Sequence, residues 1–296
     1  MEVHFEIENS CLLHCRHCSS WATEEGKNKK YEMQHMDDFL QLFPEKNTVF
    51  LTGGEPLLHK EVDEILRFLK RNDKEVSIGV FTTGITKRNG KLCGISQEQA
   101  FRLADWGLNL SYFSIYSDCA EEHDWMTGVA GSFNMTVQSI QRFVEQGIEV
   151  RINLVVTKRN VKKLEQIIKM ASALGCTEVR LLKLVNHGRA EGCWADIGLT
   201  VQEYKECVRK FACISDGIRI TASSSIEILP CRPMEHAQGC QAGSNLAYVT
   251  YEGAVFPCAS VKNNVKYKIG SIWEGDKLRQ YFGRKKMPNP NPLCGG

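Results

Sequence analysis

The sequence predicts an α/β protein built on a parallel sheet, and three observations carry that reading. Short apolar runs alternate with amphipathic, helix-spaced segments six times over residues 1–190. The helical segments at 133–146 and 160–174 run into Gly147 and Gly175, residues suited to closing a helix in the left-handed conformation. No G-x-G-x-x-G opens the first helix, so nothing points to a dinucleotide fold. Alternation of this kind joins parallel strands by right-handed crossovers, in an open doubly wound sheet or in a barrel.

Each element has its own signal. Residues 3–7 alternate apolar and polar side chains and predict the first strand, whereas 22–31 are polar and charged and read as a solvated loop. Residues 36–43 predict a short helix halted by Pro44, and 48–51 a buried second strand. Val62, Ile65, Leu66 and Leu69 recur at helical spacing, so 59–71 reads as an amphipathic helix. A third strand follows at 77–82, a helix at 96–106 and a fourth strand at 109–116. The helix 133–146, a fifth strand at 150–156, the helix 160–174 and a sixth strand at 179–183 complete the series. Gly188, Gly192 and Gly198 mark a transition before a helix over 200–213. Residues 245–250 and 254–256, joined by Tyr251-Glu252-Gly253, predict a hairpin. From Met287 onward three prolines and two terminal glycines argue against regular structure.

Composition narrows the function classes. A chain of 296 residues can bury a large core and is near the length where a second unit forms. A formal charge of +2 gives no electrostatic case for nucleic acid or an anionic membrane, and no run of about 18 apolar residues offers a membrane span. The N-terminus lacks the basic and apolar regions of a signal peptide, so its 13 cysteines point to a reducing cytoplasm with thiols committed to metal.

Those cysteines are patterned. Cys11-Leu12-Leu13-His14-Cys15-Arg16-His17-Cys18 is a C-x3-C-x2-C run just beyond the first strand. Three thiols so close in sequence can converge on one soft metal centre, and an iron–sulfur cluster held by only three thiolates keeps one iron open. A zinc knuckle and inert thiols are the bland alternatives. Gly53-Gly54-Glu55-Pro56 follows the second strand, with glycines that permit close backbone approach and a proline that sets the exit to a helix. Ser114 and Asn153 are polar positions inside largely apolar strands, where burial without partners is costly. Near the C-terminus, Cys240 and Cys258 frame a C-x12-G-x4-C hairpin around Gly253.

The cysteine run and the Gly-Gly-Glu-Pro turn together resemble the radical S-adenosylmethionine (SAM) superfamily, and the hairpin resembles its SPASM and shorter twitch auxiliary-cluster domains. The resemblance implies a partial (β/α)6 barrel over 1–190, a linker and bridging helix over 191–217, and a small twitch-like domain over 218–296. It implies a [4Fe–4S] cluster with three Cys ligands, Cys11, Cys15 and Cys18, whose open iron binds SAM. One-electron reduction then yields a 5'-deoxyadenosyl radical that abstracts a substrate hydrogen. His17 is expected to pack near cluster and adenine. Gly53, Gly54, Glu55 and Pro56 are expected at the SAM methionine end, Ser114 and Asn153 at its ribose or carboxylate, and Arg189 in the adenine-side loop. His123-Asp124 matches members with an auxiliary domain and is expected to anchor a loop.

A second [4Fe–4S] cluster is expected on Cys231, Cys240, Cys258 and Cys294, with structural zinc the alternative for four thiolates. Only Cys294 follows the hairpin, which favours one auxiliary cluster over two. Of the other cysteines, Cys119 and Cys193 are the two near rim-facing loops that could give a hydrogen atom to a substrate radical. The implied electron donor is flavodoxin- or ferredoxin-like. Two enzyme readings remain open: epimerisation or crosslinking of a ribosomally made peptide, and oxidation, dehydration or decarboxylation of a sugar- or nucleoside-like metabolite. The first strand begins at once, so a peptide substrate is expected to need a separate leader-recognition protein or to engage the rim directly. A redox-responsive binding protein, needing the cysteines but no SAM turnover, is the non-enzyme alternative.

Overall fold

The computed structural model describes residues 1–27, 29–43, 47–71, 76–211, 217–222 and 241–283. Pro44, Cys213, Cys231, Cys240 and Cys294 lie outside them, and with these most of the expected auxiliary ligand set.

The chain opens with β1 (Glu2–Glu8), α1 (Met33–Leu40), β2 (Thr48–Gly53), a 3-10 turn (Pro56–Leu58), α2 (Val62–Arg71) and β3 (Ser77–Thr82). A hairpin, β4 (Ile85–Arg88) and β5 (Lys91–Gly94), precedes α3 (Gln97–Asp105), β6 (Leu108–Ser114), α4 (Ala120–Thr127), α5 (Ser132–Glu145) and β7 (Glu149–Val156). Then come α6 (Leu164–Ala173), β8 (Glu178–Lys183), α7 (Trp194–Ile197), α8 (Val201–Phe211) and β9 (Arg219–Ala222). The described C-terminal part holds β10 (Leu246–Val249), β11 (Ala254–Phe256), β12 (Gly270–Ser271) and α9 (Gly275–Phe282).

The six expected strands lie side by side in the order β1-β2-β3-β6-β7-β8, and every pairing among them is parallel. Strand β9 extends one edge in parallel, and β10, β11 and β12 extend the other. Strand β10 pairs parallel with β1 from Glu2↔Leu246 to Phe5↔Val249, so the C-terminal hairpin continues the barrel sheet. Among the described residues the two ends of the ten-stranded sheet are unpaired with each other, which leaves the barrel open there.

Side-chain alternation makes one face of this sheet the core and the other a lumen. Val3, Phe5 and Ile7 of β1 are fully buried and pack in the cluster that includes Ile65, Leu66 and Leu69 of α2. Burial of each such side chain contributes about 1.5–3 kcal/mol. The intervening residues of β1 face inward: the His4 ring meets Phe50 at 5.4 Å and Phe81, two strands away, at 4.9 Å. Glu2 is bonded to His4 and lies within electrostatic reach of Arg180 and Arg151 on β8 and β7, a proximity that a flat sheet would not permit. Phe81 stacks between Phe50 and Tyr112, and the Arg180 guanidinium lies 4.2 Å from the Tyr112 ring centre.

Several boundaries moved for local reasons. Helix α1 starts at Met33 because Glu32 and His35 form a reciprocal cap. The expected helix over 59–71 divides into the 3-10 turn and α2. Helix α6 starts at Leu164 because Asn160 ties residues 157–160 into a turn: its Oδ1 accepts from Thr157 N at 2.8 Å, and its Nδ2 donates to Tyr116 O at 3.1 Å. The hairpin β4–β5 was unanticipated although Asn89-Gly90 signals it, both residues having positive φ, 49° and 76°.

Candidate active site

The cysteine loop leaves the C-terminal end of β1 and is held from several sides. Cys11 N donates to Thr23 O at 2.8 Å, while His14 N and Arg16 N donate to Thr127 O and Met126 O of α4, both at 2.9 Å. Helix α4 is the main feature here that the sequence reading passed over. Its Asp124 accepts from Gly131 N, Ser132 Oγ and Phe133 N at 2.6–2.8 Å, fastening the start of α5. His123 is fully buried, stacked on Tyr116. The pair therefore has the anchoring geometry expected of it.

Arg189 is the second clamp. Its backbone N donates to Cys18 O at 3.0 Å, its Nε to Cys15 O at 2.9 Å and its Nη1 to Ala22 O at 3.0 Å. The expectation put Arg189 on the cofactor; the observed contacts put it on the backbone of the cysteine loop. Gly188 precedes it with φ +66°, and a Cβ there would come within 2.4 Å of Cys18 O.

The Gly-Gly-Glu-Pro turn also meets the loop. Gly54 N donates to Glu8 O at 2.7 Å and Glu55 N to Ser10 O at 2.8 Å. A Cβ on Gly53, whose φ is +140°, would lie 1.7 Å from Glu8 O, and one on Gly54 would lie 2.2 Å from Ser10 O. Both glycines are thus required by the stem of the cysteine loop. Glu55 is fully buried and accepts from Thr82 Oγ1, Thr83 Oγ1, Thr83 N and Leu57 N at 2.6–3.2 Å. It ties the end of β2 to the end of β3, with Pro56 opening the 3-10 turn beside it. Burial raises the Glu55 carboxyl above its ordinary range against these four donors.

Cys11 and Cys15 are buried and Cys18 half-buried. Burial, aided by the Glu55 charge, pushes the Cys11 thiol up to about 12. Burial lifts Cys15 well above its usual value, with Cys11 and Cys18 adding to the effect. Among the described residues no three His, Cys, Asp or Glu side chains meet closely enough to cage a single metal ion. A four-iron cluster spaces its thiolates more widely than one ion does, and the three cysteines lie on one short loop held at the end of β1.

Polar atoms without partners surround this loop. His17 packs edge-on against Tyr116 at 4.6 Å, and its Nδ1 is buried with no hydrogen bond. Burial brings the His17 imidazole down to about 4, so it is neutral. Ser114 and Asn153 are register partners on β6 and β7, both on the lumen face, and Asn153 Oδ1 is likewise buried and unbonded. Unpaired buried groups of this kind suit a polar ligand at the strand ends, which is where SAM is expected.

The remaining expected positions are scattered. Cys119 sits at the start of α4 with its thiol 2.8 Å from Glu121 Oε2, and the Cys193 thiol points at Arg16 O at 3.3 Å. In the C-terminal part Cys258 is half-buried, and burial, with the Glu6 charge, holds the Tyr248 hydroxyl well above its usual range. Among the described residues no helix is long and apolar enough to cross a membrane.

Comparison with known proteins agrees with this geometry. The AdoMet-dependent heme synthase of Oleidesulfovibrio alaskensis is 26% identical over 311 residues, covering 97% of this chain and 76% of that protein. The mycofactocin maturase MftC of Mycobacterium tuberculosis is 28% identical over 307 residues, covering 98% and 74%. Among solved structures, Streptococcus suis SuiB bound to S-adenosylmethionine superposes with a TM-score of 0.69 at 14% identity, covering 96% of this chain and 66% of SuiB. SuiB bound to the precursor peptide SuiA matches with a TM-score of 0.67 at 15% identity, covering 99% and 68%. An iron–sulfur cluster-binding domain of the SPASM type matches residues 240–296. The Radical SAM superfamily matches residues 6–171, more than half of the chain, and the protein is a member of that superfamily, an enzyme with [4Fe–4S] clusters and SAM as its cofactors.

Proposed function

We propose that this radical SAM enzyme modifies a ribosomally synthesised peptide, by epimerisation or by forming a crosslink. The observation that carries the reading is that β10 pairs in parallel with β1 and that Lys262, four residues beyond Cys258, donates to Ser20 Oγ, two residues beyond Cys18, at 2.9 Å, which sets the two cysteine-bearing segments beside each other at one lumen. An extended substrate in that lumen lies between them. The similarity to MftC and to peptide-bound SuiB supports a peptide as that substrate.

In this reading Cys11, Cys15 and Cys18 hold the cluster that binds SAM, and Cys258 joins Cys231, Cys240 and Cys294 on the auxiliary cluster. When bound, cluster and SAM supply a carbon-centred radical that takes a substrate hydrogen atom. The protein's own residues position and shield. Arg189, α4 and the Gly53-Gly54 turn fix the cysteine loop, Glu55 fixes the rim, and Ser114, Asn153 and His17 present polar groups to SAM. Reducing electrons come from a flavodoxin- or ferredoxin-like donor, and a separate leader-recognition protein can deliver the peptide.

A second reading rests on the heme synthase similarity, because Arg151 and Arg180 beside Tyr112 in the lumen are already paired with Glu149 and Glu178. Oxidation, dehydration or decarboxylation of a sugar- or nucleoside-like small molecule would then be the reaction, and the heme synthase similarity is compatible with small-molecule chemistry.

Anaerobic incubation of the reconstituted enzyme with reductant, SAM and separate peptide and metabolite pools distinguishes them by mass spectrometry. A peptide that loses two hydrogens supports crosslinking, and deuterium uptake without that loss supports epimerisation. Turnover confined to the metabolite pool overturns the peptide assignment.

A further inference from the structure

Four residues beyond Cys258, the chain returns to the cysteine loop through a buried cation. Lys262 is 8% exposed, and its ammonium donates to Glu6 Oε1 at 2.9 Å, Ser20 Oγ at 2.9 Å and Tyr248 Oη at 3.3 Å. Glu6, on the lumen face of β1, is 2% exposed and accepts from Tyr251 N at 3.3 Å through its other oxygen. Asn263, next in sequence, donates to Ser19 O at 3.5 Å and meets His187 Nε2 at 2.6 Å. Ser19 and Ser20 are the two residues that follow Cys18. The segment after Cys258 therefore grips the exit of the cysteine loop, while Arg189 and α4 grip its interior.

A buried ion pair is a costly way to join two segments, since well-packed apolar side chains of similar size hold them as firmly. What the ion pair adds is a fixed field. The ammonium is bonded to the loop at Ser20, and it offsets the Glu6 carboxylate at a site screened from water.

We infer that Lys262 is a positioning residue for the SAM-binding cluster: it fixes the Cys18–Ser20 arm, cancels the Glu6 charge beside it, and so couples the C-terminal region to the cluster's redox behaviour. Without Lys262 an uncompensated carboxylate stands next to the loop, which disfavours adding an electron to a cluster there and frees the arm that carries the third cysteine. Lys262 has this role whichever substrate enters the lumen.

The test uses the reconstituted full chain and reads the part of the electron paramagnetic resonance spectrum that changes on adding SAM, because only a cluster with an open iron responds to it. In Lys262→Met the midpoint potential of that cluster moves to more negative values, its SAM-dependent signal is altered, and SAM binding weakens about tenfold. Lys262→Arg keeps the charge and retains most of the signal. Glu6→Gln combined with Lys262→Met removes both charges and returns the potential toward the parent value, with thermal melting showing that all variants are folded. A parent-like spectrum and potential in Lys262→Met overturns the inference. So does a defect that is identical in the single and double variants, since that pattern reports packing alone.

Discussion

The Arg189 side chain reaches across 174 residues of sequence to donate from Nε to the Cys15 carbonyl at 2.9 Å, inside the loop that carries all three N-terminal cysteines. A second donor on the same guanidinium reaches Ala22 O at 3.0 Å. One planar fork thus fixes the loop at two points, a geometry that a lysine cannot copy. Arg189→Lys is expected to lower iron and sulfide content per chain and to cost about 1.5–3 kcal/mol of stability. Iron and sulfide analysis with thermal melting checks both, and full cluster loading in Arg189→Lys would contradict the clamp.

Two turn glycines, one at the rim and one in a hairpin, differ sharply in what they tolerate. Gly54→Ala places a methyl 2.2 Å from Ser10 O and is expected to cost about 4 kcal/mol or more, because backbone must move. Gly90→Ala, in the β4–β5 turn, meets nothing within 4 Å and carries only the strain of its φ of +76°, about 1 kcal/mol. Parallel denaturant melts of the two variants read the contrast directly.

Asn153→Ala separates ligand binding from folding. Its Oδ1 is buried without a partner, so losing the amide is expected to leave stability unchanged within about 1 kcal/mol. If that oxygen faces SAM, affinity drops by roughly tenfold, measured by calorimetry on the anaerobic enzyme. Unchanged SAM affinity would remove Asn153 from the site.

Acid should destabilise the fold through His123. Desolvation brings this imidazole from 6.5 down to about 4, with the Asp124 charge opposing the shift. A lowered folded-state value means that the unfolded chain binds the extra proton first. The contribution is therefore complete above pH 6.5 and is lost as pH falls toward about 4, by about 3 kcal/mol in all. Equilibrium unfolding across that window should show a slope that His123→Gln makes shallower. An unchanged slope would mean that His123 takes up its proton at the same pH in the folded and unfolded chain.

Much of this arrangement was legible along the chain because it is local. Apolar periodicity is set by which face each element buries, so the six strands could be read from residues 1–190 and all six form, whereas their side-by-side order followed only from the barrel that the family resemblance implies. The cysteine run and the Gly-Gly-Glu-Pro turn were likewise legible, since each is a contiguous backbone device at a strand end. The hairpin at Asn89-Gly90 was legible too, though the reading missed it, because the signal is a dipeptide within the reach of one turn.

The tertiary structure alone decided which distant residues complete those local devices. Glu55 finds Thr82 and Thr83 on the next strand, Arg189 finds Cys15 and Ala22, and Lys262 finds Glu6 and Ser20. Strand β10 joins β1 in parallel, although hundreds of residues separate them, and makes the C-terminal hairpin an extension of the barrel. A sequence records that a residue can donate, accept or carry charge. Its partner is chosen by curvature of the sheet and by the cost of leaving a buried group unpaired, and both exist only once the chain has closed on itself.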